Sequence, residues 1–315
     1  MTLSYLYDMK IIKSKRLMII SILLITGIIF VYYLLQLKHD RSSEPKIKLY
    51  LHEQDAIIEI NLEEYIKGTV AAEMPATFEM EALKAQAVCA RTYAIKKLTE
   101  NTIYPRGANL SDDINSCQAY IALQNFAPSN PSRRDLLKRI TKAVDSTRGE
   151  IMLYNSQPID ALYCSTCGGQ TESAGAVWGR DIPYLRSIKC GDCASSIHYK
   201  ESHTIENTII NKLVGDNGDG LSIQVLSRSP GDRPKTISIN RHQIDAVMLR
   251  KELKLPSAWM EFHPAAHDTV IITRGYGHGV GMCQNGANGM AHRNQNYHQI
   301  LNRYYSGINY YKLDY

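Results

Sequence analysis

Three segments of the sequence place reactive side chains in patterns that could do chemistry. The first is Ala71-Ala72-Glu73-Met74-Pro75. Glu73 closes a run with helical spacing, because Pro75 disfavours helical geometry at the residue before it. The last carbonyls of a helix carry partial negative charge, which disfavours an ionised carboxylate nearby and raises its pKa. Met74 and Ala72 add a desolvating surround. A carboxyl group that keeps its proton near neutral pH is what a general acid requires. An ordinary surface glutamate at a helix end fits the same position, and Glu172 and Asp181 stand as further candidate acids. Glu63, Glu64, Glu79 and Glu81 fall in first helical turns, where negative side chains stabilise the helix without any catalytic role.

The second segment pairs Cys164-x-x-Cys167 with Cys190-x-x-Cys193, a spacing that suits a four-thiolate structural zinc. Two disulfides satisfy it as well if these residues lie outside the cytoplasm, and reduced thiols in a loop are a third state. Four thiolates close the coordination shell of zinc and leave no place for water. A metal-dependent hydrolase built on them is therefore disfavoured, and no cofactor is expected for catalysis. The chain has seven cysteines, so at least one is unpaired.

The third segment is Gly275-Tyr276-Gly277-His278-Gly279-Val280-Gly281. Alternate glycines let backbone approach backbone or ligand closely, but no Lys-Ser/Thr pair follows as in a phosphate loop. His278 is expected in a cleft, either on a ligand or orienting Glu73, with a backbone-satisfied histidine as the alternative. Gln86 and Tyr93, seven residues apart, share a helix face, and Arg91 lies beside them. These are candidate cleft residues, although Tyr93 could be core and Arg91 a salt-bridge partner.

The elements that must position these residues are a mixture of helices and hairpins, which predicts an α+β fold. Apolar periodicity places helices at Leu62–Glu73, Met80–Leu98, Arg133–Arg148, Thr204–Val214 and Arg241–Leu253. Alanines along the second helix predict close packing inside the domain. Strands are expected at Ile47–His52 and Ala56–Ile60, in a hairpin of Glu150–Tyr154 with Ile159–Cys164, in a hairpin of Leu221–Arg228 with Lys235–Asn240, and at Asp268–Thr273 and Asn309–Leu313.

Leu17–Leu35 is an uncharged apolar run of 19 residues, close to the ~20 that span a bilayer. Lys10, Lys13, Lys15 and Arg16 precede it and favour a cytoplasmic N-terminus. The exit, Leu-Gln-Leu-Lys-His-Asp-Arg, lacks the small residues of a signal-peptide cleavage site. The expected layout is a basic cytoplasmic tail (1–16), a single-pass anchor (17–35), a polar stalk (36–46) and an extracytoplasmic domain (47–315). The formal charge of +5 resides mostly in the tail, so the domain is nearly neutral and no nucleic-acid partner is expected.

Five blocks, in this order, resemble the stage II sporulation protein D family: Leu62–Ala94, Ala161–Gly169, Val177–Gly179, Pro183–Leu185 and Gly275–Ala291. The resemblance implies a membrane-anchored lytic transglycosylase that cuts peptidoglycan glycan strands during forespore engulfment, on the mother-cell membrane facing the intermembrane space. It implies that Glu73 is the catalytic acid. Glu73 would protonate the oxygen between N-acetylmuramic acid and N-acetylglucosamine, then deprotonate the muramic acid 6-hydroxyl, which closes a 1,6-anhydro ring. That route needs no second carboxylate, unlike hydrolysis by paired acids. The resemblance strengthens the cleft assignment of Gln86 and His278, and makes Gln284 and Asn285 candidate partners for N-acetyl groups. It implies an amidase and a membrane scaffold as protein partners, and related domains that act without catalysis as amidase enhancers. The family usually has histidine where this chain has Cys164. Some members hold zinc with His and Cys ahead of the CQAY segment; here that stretch is GANLSDDINSCQAY, with Ser111 and Ser116 where ligands would be. That zinc is not expected, Cys117 reads as a buried small hydrophobe, and Cys283 as packing.

Overall fold

A computed structural model of the chain describes residues 43–126, 131–216, 218 and 220–315. The expected membrane helix and most of the stalk lie outside the described residues. Among the described residues, no helix is long and apolar enough to cross a membrane. Residues Pro45–Leu313 form one unit of helices and small sheets, the α+β class that the sequence predicts.

Strands β1 (Lys46–Leu51) and β2 (Ala56–Asn61) make an antiparallel hairpin, and β1 buries Ile47 and Leu49 on its inner face. Helix α1 (Leu62–Glu73) follows directly. It buries Leu62, Tyr65, Ile66, Thr69 and Val70 and stops where Met74 turns extended ahead of Pro75, as the steric rule requires. Helix α2 (Met80–Thr99) is buried on nearly all sides, with Ala82, Ala85, Ala87, Ala90 and Ala94 keeping it slim. It packs against α1, and β3 (Leu110–Ser111) then runs parallel beside β1. A one-turn helix α3 (Leu123–Phe126) and α4 (Pro131–Ser146) come next. Strand β4 (Glu150–Tyr154) turns through Asn155 and Ser156, both left-handed, into the short β5 (Gln157–Pro158).

The expected hairpin partner Ile159–Cys164 does not extend β5. Tyr163–Cys164 forms β6 and leaves for another sheet, where it pairs in parallel with β13 (Met282–Cys283). Between them lie the short α5 (Ala174–Trp178) and a second core. That core packs Ile210, Ile237, Ile239, Ile244, Leu249, Met260 and Ile271. Its elements are β7 (Glu201–Glu206), α6 (Asn207–Leu213), β8 (Ile223–Arg228), β9 (Pro234–Ile239), β10 (His242–Asp245), α7 (Ala246–Glu252), β11 (Met260–Pro264) and β12 (Asp268–Thr273). The chain ends with α8 (Gln284–His292), α9 (Tyr297–Tyr304) and β14 (Asn309–Lys312), which pairs with β4. Helix α2 packs also against α4, α8 and α9, so it joins elements far apart in the described sequence.

Two expected helices begin as strands. Glu201–Glu206 alternates in exposure and pairs with β12, so sheet pairing overrides its helical spacing. His242–Asp245 completes a hairpin across left-handed Asn240 and Arg241, and the helix starts only at Ala246. Asp245 marks that start by accepting from the Val247 and Met248 N–H groups, an N-cap inside the apolar pattern.

Candidate active site and thiol cluster

The C-terminus of α1 delivers Glu73 to the wall of a cleft of about 960 Å³. The CQAY segment, the stretch Ala161–Ser165, Trp178, the loop Ser195–His198 and the glycine-rich Tyr276–His278 line the rest, with Gln284 and Asn285. Glu73 is the one carboxylate among the described lining residues. Trp178 is 51% exposed and Tyr276 47%, large aromatic faces left open beside the cavity. The Trp178 ring lies 5.2 Å from that of His278, and Tyr276 lies 4.6 Å from His198.

Glu73 is partly buried, and burial raises its pKa above the ordinary carboxylate value. Two donors oppose that shift. The Ala119 N–H donates to Glu73 Oε1 at 2.7 Å, and the Tyr163 hydroxyl hydrogen-bonds the same carboxyl group. Gln118 Oε1, 3.0 Å from the Tyr163 hydroxyl, is a second acceptor that shares its one proton. Gln118 Nε2 in turn donates to Tyr65 Oη at 3.2 Å, which ties the arrangement to the buried face of α1. Burial therefore favours the protonated acid, while the same carboxyl group faces donors able to stabilise its charge once the proton leaves. Sequence reasoning misses Ala119, Gln118 and Tyr163. The CQAY segment stands out only for its missing metal ligands, and a backbone donor has no side-chain signature.

The other expected cleft residues separate into three kinds. Tyr93 and Gln284 do line the cleft, and burial raises the Tyr93 hydroxyl pKa, helped by neighbouring Cys117. Gln86 is fully buried behind it: its Oε1 accepts from Gln284 Nε2 at 3.2 Å, and Gln284 Nε2 also donates to the Glu73 carbonyl at 3.0 Å. Arg91 does not line the cleft. It is fully buried and holds Glu63 through Nε at 2.8 Å and Nη2 at 2.7 Å, with further bonds to the carbonyls of Val144 and Glu150. A fully buried guanidinium held by four bonds to three partners inside the domain is out of reach of a ligand in the cleft.

His278 lines the cleft, but its ring nitrogens are occupied. Nδ1 accepts from the Val280 N–H at 3.0 Å, and the ring donates to the Tyr163 backbone. Burial, with Arg250 nearby, lowers its pKa to about 4, so it is neutral at physiological pH. It thus orients β6, and through it Tyr163. Glu172 and Asp181 do not join Glu73. Glu172 is buried, accepts from the N–H groups of Ser173 and Gly231, and faces Arg233 at 3.7 Å.

The thiol cluster differs from the expected set by one member. The sulfurs of Cys167, Cys190, Cys193 and Cys283 all lie within 4.8 Å of one another, and all four are buried. Cys164 stands outside, facing the cleft from β6, and burial pushes its thiol up to about 12. The parallel register of β6 and β13 sets Cys164 opposite Cys283, yet only Cys283 reaches the cluster. Cys283 is therefore more than packing. Cys117 is half-buried on the cleft wall, so it is not simply a core residue.

The fold and site together define an α+β protein with one carboxylate among the described residues of its cleft. Residues 50–154 match the family model described as stage II sporulation protein. The chain is 38% identical over 272 residues to stage II sporulation protein D of Bacillus subtilis (strain 168), spanning 85% of this chain and 79% of that protein. It is 35% identical to stage II sporulation protein D of Bacillus amyloliquefaciens over 86% of this chain and 82% of that one. A protein named amidase enhancer, also from Bacillus subtilis, is 29% identical and is covered over 39% of its length. The chain belongs to the stage II sporulation protein D family, a family of sporulation.

Proposed function

We propose that this protein is a lytic transglycosylase of sporulation that cleaves peptidoglycan glycan strands with Glu73 as its acid and base. The observation that carries this reading is that Glu73 stands alone as a carboxylate among the described cleft residues, with a raised pKa. A hydrolase of the usual kind needs a second carboxylate as nucleophile or to activate water. A single carboxyl group suffices when the nucleophile is the substrate's own 6-hydroxyl, already tethered next to the anomeric carbon.

In the first half of the reaction Glu73 gives its proton to the glycosidic oxygen between N-acetylmuramic acid and N-acetylglucosamine. Ala119 N–H and Tyr163 stabilise the carboxylate left behind. In the second half that carboxylate takes the proton of the muramic acid 6-hydroxyl as its oxygen bonds to the anomeric carbon. Glu73 returns to its protonated state, and the products are a 1,6-anhydro end and a free N-acetylglucosamine end. Trp178 and Tyr276 offer faces on which sugar rings stack, and Tyr93 with Asn285 offers polar contacts. Peptidoglycan is an extracytoplasmic substrate, so the reading carries with it a single-pass anchor at Leu17–Leu35. A stem-peptide amidase and a membrane scaffold are its proposed protein partners.

The test is incubation of the protein with purified glycan strands, with and without stem peptides, and product analysis by mass. Anhydro-muramic ends with wild type and none with Glu73→Gln are expected. Reducing ends without anhydro product would mean hydrolysis and overturn the mechanism. Binding with no new ends would leave a non-catalytic enhancer of an amidase instead.

A further inference from the structure

We propose that Cys167, Cys190, Cys193 and Cys283 form a closed structural zinc site that fixes the N-terminus of α8 against the loop Cys190–Cys193. The four sulfurs lie within 4.8 Å of one another, and Cys167 Sγ to Cys193 Sγ is 3.7 Å. Tetrahedral Zn–S bonds of ~2.3 Å put sulfurs about 3.8 Å apart, so the cluster needs little adjustment to close on the ion. A disulfide would require ~2.05 Å. Every donor is a thiol, the set that suits zinc rather than magnesium or calcium.

The surroundings suit charged thiolates. Cys283 is the N-cap of α8, where helix N–H groups favour negative charge. Its Sγ accepts from the Gly286 N–H at 3.2 Å and the Cys167 N–H at 3.3 Å. The Tyr304 hydroxyl lies 3.2 Å from Cys190 Sγ. Bonds of this kind from outside the ligand set orient thiolates and offset their charge. The backbone has also made room. A Cβ at Gly286 would run into Cys190 Sγ and Tyr304, and one at Gly289 would run into the Asp192 carbonyl. Both glycines, spaced three apart on one helix face, let the Cys190–Cys193 loop lie directly on α8.

Binding is an exchange without redox change: four S–H bonds give way to four Zn–S bonds, and four protons pass to solvent. The consequence reaches the cleft, because Gln284 follows Cys283 directly and holds the Glu73 carbonyl. Zinc would make that contact rigid.

The full chain, purified in detergent with zinc and reductant present, is expected to carry a single zinc by elemental analysis. Alkylation mapped by peptide mass should find Cys167, Cys190, Cys193 and Cys283 protected together until a chelator is added. The cobalt-substituted chain should show the charge-transfer and d–d absorption of a tetrahedral thiolate site. Cys283→Ser should weaken zinc binding more than ~100-fold, while Cys164→Ser leaves it unchanged. Should Cys283→Ser not fold, the wild-type protection map still decides. Absence of metal, an untreated mass short by the hydrogens of two disulfides, or protection of Cys164 in place of Cys283 would each overturn the assignment. Zinc content and thiol protection are read without turnover, so they stand whether or not Glu73 is the acid.

Discussion

Gln284 Nε2 donates to the main-chain carbonyl of Glu73 at 3.0 Å, across most of the length of the sequence. The last carbonyls of a helix have no partner within it, and here a side chain from α8 supplies one. The same amide donates to Gln86 Oε1, so one group braces both helices that flank the acid. Gln284→Leu should leave two buried acceptors unpaired and cost ~1–3 kcal/mol in urea denaturation. Cleavage of glycan strands should fall further than that loss of stability explains, because Glu73 loses its fixed position. Unchanged activity together with lowered stability would show that Gln284 braces the fold alone.

Glu73→Gln should abolish cleavage and raise stability at neutral pH. Burial raises the Glu73 pKa, so the folded state holds a proton that the unfolded chain releases. The group's contribution to stability is full below the unfolded value of 4.5 and is lost as pH rises through its folded value. Glutamine can still accept from the Ala119 N–H and carries no charge to bury. The gain over wild type in denaturant midpoint should therefore appear at neutral pH and vanish in acid. A variant less stable than wild type at neutral pH would contradict the desolvated acid.

Tyr163→Phe removes a hydroxyl that lowers the Glu73 pKa. The basic limb of the pH–rate profile should move to higher pH, because the acid then keeps its proton longer. The rate at the optimum should drop ~10–100-fold, the worth of one hydrogen bond to a charged group. A drop in rate with an unmoved limb would assign Tyr163 to substrate contact rather than to Glu73.

What the sequence reveals, and what it hides, follows from how local each determinant is. Glu73 at a helix end is readable because Pro75 sets the boundary from one residue away. Helix α2 is readable from its alanines. The thiol set is not, because the spacing rule pairs cysteines that are close in sequence. Cys283 enters through the pairing of β6 with β13, which no local pattern encodes. Arg91 misleads for a related reason. It lies roughly 200° around the helix from Tyr93, so it cannot share that face, and its partner Glu63 comes from another helix. Ala119 acts through its backbone, which sequence spacing cannot mark.

Arg91 and Glu63 should behave as a structural pair with no part in turnover. Both side chains are buried, and the Gly149 N–H also donates to Glu63 Oε1, so α1, α2 and the turn before β4 meet at one carboxylate. Removing one partner of a buried pair strands the other charge, at a cost of about 3–5 kcal/mol. Arg91→Met and Glu63→Gln should each lower the urea midpoint strongly. Their double variant should lose less than the sum of the two, because no lone charge remains. At a temperature where each is folded, glycan cleavage should be close to wild type; a large loss of rate in folded Arg91→Met would return Arg91 to the substrate.

His278 should make the fold acid-sensitive in a window set by its own pKa change. Its pKa falls from 6.5 unfolded to about 4 folded, chiefly by burial, with Arg250 adding to the effect. The unfolded chain therefore binds a proton over that range when the folded state does not, and stability declines as pH drops from 6.5 towards 4. Protonation would have to break the bond that Nδ1 accepts from the Val280 N–H. The loss from this group is at most roughly 3.5 kcal/mol, since each tenfold change in proton affinity is worth ~1.4 kcal/mol. His278→Asn keeps a short acceptor for Val280 and does not titrate. Urea midpoints measured for both proteins across the window should diverge as pH falls, with wild type losing more. Parallel curves would mean that His278 already carries its proton in the folded state, and the neutral ring that orients Tyr163 would have to be abandoned.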